Sequence, residues 1–158
     1  MRLYRIAKAQ FANDLSGKGA ELYGGRWNSP GNKVVYCSNS AALALVETLA
    51  WTSLTNLLSA GFVLLVIECP VNNLREIALS DLPQGWNMLD AYPVTQGIGD
   101  AWLKESSSLL LKVPSAVLPI EMNLLINPLH SMMSQVKIEE TFDLLLDPRI
   151  LKHISSVE

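Results

Sequence analysis

Three side chains able to do chemistry fall within a short span of this sequence: Arg26, Tyr36 and Glu47. Arg26 follows Gly24-Gly25 and precedes Trp27-Asn28-Ser29-Pro30-Gly31. Glycines let the backbone approach a ligand closely, and an arginine offered from such a loop can grip a phosphate or carboxylate bidentately. Tyr36 ends the run Val34-Val35-Tyr36, where a phenol ring can stack on a planar ligand. Glu47 follows Ala41-Ala42-Leu43-Ala44-Leu45-Val46. A carboxylate on an apolar helix face must pair with a cation or bear the cost of desolvation. A cation, a phenol and an acid in glycine-rich or apolar company suit a small-molecule site better than surface decoration.

Each residue also has a plainer reading. Glu47 fits a structural ion pair, Arg26 a solvated turn, and Tyr36 ordinary core with its hydroxyl satisfied. Arg5 alternates onto the strand face of Leu3 and Ala7, where Glu47 is an obvious partner; the alternative is an edge strand with Arg5 in solvent. Ser115, in Val113-Pro114-Ser115-Ala116, stands at a proline break, where a serine bonds a ligand or caps a bend. Ser131, after Asn127-Pro128-Leu129-His130, is similar. No serine sits in a G-x-S-x-G elbow, and the two histidines come late, so a serine hydrolase is not expected. No phosphate-loop pattern occurs either.

The elements that must position these residues follow from periodicity and punctuation. Met1 to Ala7 alternates as a first strand, and Gly17 to Gly31 is dense enough in Gly, Asn and Pro to be loop. Lys33 to Cys37 is a short strand. Asn39 or Ser40 can cap a helix running to about Leu58 and closed by Gly61. On that wheel Glu47 shares a face with Leu43, Ala44, Ala50, Trp51 and Leu54. Further strands are predicted at Phe62 to Cys69, Leu74 to Leu79, Leu109 to Val113, Ala116 to Leu118, Asn123 to Ile126 and Val136 to Leu144. Thr95 to Ser106 reads as a second helix with Thr95 as its cap, and the tail from Asp147 as a short helix or disordered. Many short strands with two main helices, and no regular βαβ alternation, predict an α+β fold in one domain spanning residues 1–158.

Composition removes several function classes. Half of the 158 residues are apolar and only 17% charged, enough for a substantial core. The net charge of -3 and the scattered Lys and Arg give no footprint for direct nucleic-acid binding. No apolar run is long enough to span a bilayer, and the first residues lack a signal-peptide core, so a cytoplasmic protein is expected. Cys37 and Cys69 match neither a zinc set nor a redox pair, and with two unclustered histidines no metal site is expected.

Taken in order, these stretches resemble the RES-domain family, named for an arginine, a glutamate and a serine. The matching segments are Gly24 to Asn28 with Val34-Val35-Tyr36, Leu43 to Glu47, and Gln96-Gly97-Ile98-Gly99-Asp100-Ala101-Trp102-Leu103. Val113 to Ala116 follows, through Pro119 and Asn123, and then Asn127-Pro128-Leu129-His130. The resemblance implies a toxin of a bacterial toxin–antitoxin pair. Its fold would be like that of ADP-ribosyltransferases, with a split β-sheet and flanking helices. It implies NAD as substrate rather than as a resident cofactor, cleaved at the nicotinamide–ribosyl bond by water or phosphate. Transfer of ADP-ribose to a protein is the alternative, and a non-catalytic interaction module a further one. The implied partner is an Xre-type helix-turn-helix antitoxin, with room for a homodimer inside that complex. By motif, Arg26, Glu47 and Ser115 take the catalytic positions, with Ser131 the rival for the serine. Arg5, Tyr36 and Trp27 fall to substrate binding.

Overall fold

Runs of valine, isoleucine and leucine bounded by glycine and proline become strands here, because such side chains fill the faces of a pleated sheet. The computed structural model describes residues 1–147, 149 and 150. In chain order the elements are β1 (Arg2–Lys8), α1 (Lys18–Tyr23), β2 (Val35–Ser38), α2 (Ala41–Leu49), α3 (Leu54–Ser59) and β3 (Phe62–Glu68). Then come β4 (Leu74–Glu76), α4 (Tyr92–Glu105), β5 (Leu110–Pro114), β6 (Met122–Ile126) and β7 (Lys137–Asp143). The seven strands form one sheet in the order β4-β5-β6-β2-β1-β3-β7, antiparallel throughout except for β4 with β5. This is the expected α+β architecture.

The sheet is split in the middle. β1 pairs with β3 along its whole length, from Arg2 opposite Glu68 to Lys8 opposite Phe62. With β2 it shares a single position, Tyr4 opposite Ser38. Strands β4, β5, β6 and β2 therefore form one half and β1, β3 and β7 the other. A core of Leu3, Ala7, Val35, Cys37, Leu65, Ile67, Leu124 and Ile126 joins the halves on one face. On the other face, Trp102 of α4 packs with Trp27, Trp86, Leu111, Val113 and Leu125. Helix α2 packs against β1 and β2, beside the split. Both cysteines belong to the first core, where burial pushes the Cys37 thiol up to about 12 and Cys69 to about 11. They are inert packing groups. No helix of the described residues is long and apolar enough to cross a membrane.

Several expected elements differ, each for a local reason. The helix predicted from Asn39 or Ser40 to Leu58 is two helices. Ser40 caps the first, accepting from the Leu43 N–H at 3.1 Å, and Ser53 caps the second, accepting from the Asn56 N–H at 3.2 Å. A serine that bonds its own backbone ends one helix and begins another without glycine or proline. The wheel around Glu47 therefore holds only toward Leu43 and Ala44, which are buried, while Ala50 and Trp51 are exposed. The glycine-dense stretch Gly17 to Gly31 is not all loop, because α1 forms between Gly17 and Gly24. Tertiary bonds hold it: Asn28 Nδ2 donates to the Ala20 carbonyl at 2.9 Å and the Gly31 N–H to the Glu21 carbonyl at 2.7 Å. Ala116 to Leu118 turns instead of pairing, since the Ser115 hydroxyl captures the N–H groups of Val117 and Leu118. The strand at Leu74 stops at Glu76 and gives way to a 3-10 turn at Leu79–Asp81. Helix α4 starts at Tyr92, so Thr95 lies inside it and is not its cap. The expectation for the tail beyond Asp147 concerns residues that fall largely outside those described.

Candidate active site

Arg26 is positioned by a loop clamped from α4. Thr95 Oγ1 donates to the Arg26 carbonyl at 2.6 Å, and Gln96 Nε2 donates to the carbonyls of Gly25 at 2.9 Å and Asn28 at 3.2 Å. Asp100 Oδ1 accepts from the Ser29 N–H at 3.0 Å and from Asn32 Nδ2 at 2.8 Å. Asn28 is fully buried and ties the loop together from within, donating to the carbonyls of Ala20 and Asn32. The Arg26 guanidinium donates through Nη1 to the carbonyls of Trp86 at 3.1 Å and Met88 at 3.2 Å, and lies 4.4 Å from the Tyr92 ring centroid. Two carbonyls and a cation–π contact fix the plane of a side chain that would otherwise sample many rotamers. This is an anchored cation, not a solvated turn residue.

Glu47 reaches the site from α2. Its Oε1 accepts from the Ser115 hydroxyl at 2.6 Å and from Asn123 Nδ2. Among the described residues no cation lies within ion-pair distance of Glu47, and Oε2 has no protein hydrogen-bond partner. The expected pairing with Arg5 is therefore not made. Glu47 is held by neutral donors, which fix the carboxylate without cancelling its charge.

Arg26 and Glu47 border the same cavity, of about 860 Å³. That volume lies within the roughly 300–1,000 Å³ usual for small-molecule sites. Tyr4, Arg5 and Ile6 of β1 and Tyr36, Cys37 and Ser38 of β2 line it on the two flanks of the split. Trp51 and Tyr92, in edge contact at 6.3 Å, border it from the end of α2 and the start of α4. Arg5 and Arg26 are its bordering cations among the described residues, and Glu47 its acid. Arg5 is half-buried there and makes no side-chain hydrogen bond or ion pair with the described residues.

The other expected site residues have more structural placements. The ring of Trp27 is in the core, 2% exposed and 6.0 Å from Trp86, so it anchors the Arg26 loop from beneath instead of offering a face to a ligand. Tyr36 borders the cavity, but its hydroxyl donates to Asn28 Oδ1 at 2.7 Å and accepts from the Trp27 N–H at 3.0 Å. Burial pushes its ionisation well above the ordinary phenol value, so it stays a neutral donor. Ser115 is fully buried, and its hydroxyl is engaged by Glu47 and two backbone N–H groups; it acts through Glu47. Ser131 is exposed at the start of a 3-10 turn and does not line the cavity. His130 Nδ1 caps that turn, accepting from the Met132 N–H at 3.1 Å. Sequence reasoning gave no role to Asn28, Gln96, Asp100 or Asn123. Their signal was polarity at positions that turn out buried or bridging, which one sequence does not display.

Tyr36→Phe tests the phenol's role. It strands a buried acceptor and a buried N–H, a loss of about 2 kcal/mol, or roughly 4–8 °C in Tm. A melt indistinguishable from wild type would show that the loop does not depend on that hydroxyl.

Comparison with known proteins bears on the family and the fold. The family model described as RES domain matches residues 2–147. A curated relative named "Toxin Res" from Yersinia enterocolitica is 39% identical over 152 residues, covering 95% of this chain and 99% of that protein. A "Prs ADP-ribosylating toxin" from Sphingobium sp. is 36% identical over 154 residues, covering 96% and 95%. Among solved structures, a chain in the M. tuberculosis MbcT-MbcA toxin–antitoxin complex superposes with a TM-score of 0.77 over 99% of this chain and 89% of that one. At 22% identity that likeness speaks for the fold. With the family model matched over residues 2–147 and relatives 36–39% identical over nearly the whole chain, this chain belongs to the RES domain family.

Proposed function

We propose that this protein is the toxin of a toxin–antitoxin pair and cleaves the nicotinamide–ribosyl bond of NAD. The observation that carries the reading is the placement of Arg26 and Glu47. They come from separate elements to one cavity, both fixed in place, and Glu47 has no neutralising cation among the described residues. In the reaction, the bond from ribose C1′ to the nicotinamide nitrogen breaks and its electron pair leaves with nicotinamide. The ribose becomes oxocarbenium-like until a water or phosphate oxygen bonds C1′ and gives up its proton. Nicotinamide is a good leaving group, so the work left to the protein is to hold the substrate and stabilise positive charge. The Arg26 and Arg5 guanidiniums suit the pyrophosphate. Glu47 Oε2, without a hydrogen-bond partner among the described residues, suits a ribose hydroxyl and the developing cation. The exposed ring of Trp51, which borders the cavity, is a candidate to flank the nicotinamide ring beside Tyr36.

Incubating the purified protein with NAD, with and without inorganic phosphate, tests this. Free nicotinamide together with ADP-ribose, or its phosphorylated form when phosphate is present, is the expected result. Intact NAD after prolonged incubation would overturn the reading. A second reading, transfer of ADP-ribose to a protein, is favoured by the name of the Sphingobium relative. It predicts label from NAD in lysate protein. The proposed partner is a helix-turn-helix antitoxin of Xre type. The solved complex supports an antitoxin, and Tyr23, Trp51 and Leu89 leave apolar surface at the cavity for one to cover.

A further inference from the structure

Glu47, as a carboxylate, is an acceptor at both oxygens, so whatever faces it must donate. Asn123, on β6, faces it with Nδ2. The opposite end of that amide, Oδ1, accepts from the Ser38 hydroxyl at 2.7 Å. Ser38 is 3% exposed and lies directly across the β2–β6 ladder from Asn123. An asparagine amide can sit in either of two orientations, and its neighbours decide which. Here the Glu47 carboxylate, which can only accept, admits one, and the Ser38 hydroxyl supports it by donating to Oδ1. On the far side of Glu47, the Ser115 hydroxyl accepts from the N–H groups of Val117 and Leu118, so its proton is directed to Glu47 Oε1. The polarity runs inward from both ends, from Ser38 through Asn123 and from the turn through Ser115. Both donors converge on Oε1, and Oε2 remains for the ligand.

We propose that Asn123 is a positioning residue for Glu47, with Ser38 anchoring its amide from behind. This rests on the NAD-cleaving reading above and names the residues that keep its acid aimed. Asn123→Asp would set a second acceptor against Oε1. Two carboxylates at hydrogen-bond distance share one proton, so a single negative charge is divided between them and the charge at Glu47 is weakened until both ionise. Ser38→Ala would leave the buried Oδ1 without its donor and loosen the amide that holds Glu47.

The test measures kcat and KM for NAD against pH in wild type, Asn123→Asp and Ser38→Ala. In Asn123→Asp the acid limb of the kcat profile should move up by at least about one pH unit. Ser38→Ala should lower kcat roughly 3–10-fold, with KM changed less. A folded Asn123→Asp with the wild-type pH profile would overturn the proposal. If that variant fails to fold, Ser38→Ala decides, and an unchanged kcat overturns it. Wild-type protein inert toward NAD is a separate result, which removes the proposed reaction and this role with it.

Discussion

Replacing Glu47 by glutamine is expected to leave a folded protein that turns over NAD at least about 100-fold more slowly. The expectation follows from how the side chain is held. Ser115 and Asn123 both donate to Oε1, and an amide oxygen in the same place can accept both bonds. The variant should therefore melt within about 1 kcal/mol of wild type. What it lacks is the full negative charge that the proposed reaction uses beside the ribose. Such charge counts most in the transition state, where the ribose is cationic. Circular dichroism and a thermal melt, run beside an assay for released nicotinamide, separate the two effects. Unimpaired turnover would remove Glu47 from the mechanism. A lowered Tm with turnover retained would mark a structural carboxylate instead.

Gly99→Ala should damage the same site from the opposite side. Helix α4 meets the Arg26 loop there without any side chain between them. A Cβ on Gly99 would lie 1.8 Å from the Trp27 carbonyl oxygen and 2.8 Å from its carbon. Both are backbone atoms, so no rotamer change relieves the clash, and helix and loop must separate. Separation would stretch the bonds from Thr95, Gln96 and Asp100 that hold the loop. A loss of about 3 kcal/mol, or roughly 6–12 °C in Tm, is expected. Gly97, in the same helix, has nothing within 4 Å of the place a methyl group would take. Gly97→Ala should be neutral or stabilising by up to about 1 kcal/mol. Equal melts for the two variants would show that α4 and the loop are not in backbone contact.

Gly25 makes a similar demand inside the loop, since a Cβ there would lie 2.5 Å from the Tyr36 hydroxyl. The pair Gly24-Gly25 reads in sequence as room for a ligand. In the structure, the second glycine makes room for a tyrosine. The same inversion applies to Trp27 and Ser115: both stand at the right places in the chain, yet one is core and the other holds Glu47. Residue type and order single these positions out. Whether a side chain faces a ligand or supports its neighbour depends on which polar atoms are already satisfied, and that depends on the partner strand.

The sequence by itself determined the α+β class, most strands, a helix cap at Asn39 or Ser40, the family resemblance and the candidacy of Arg26 and Glu47. Those follow from local rules, alternation, punctuation and the order of motifs, which a linear chain carries openly. The tertiary structure alone decided that Arg26 is fixed by carbonyls some 60 residues away and that Glu47 is held by serine and asparagine instead of Arg5. It also decided that β1 and β2 part after one shared position, opening the cavity between them. These facts rest on contacts between distant segments, and such contacts are set by packing and hydrogen-bond satisfaction across the whole fold, which no local pattern encodes.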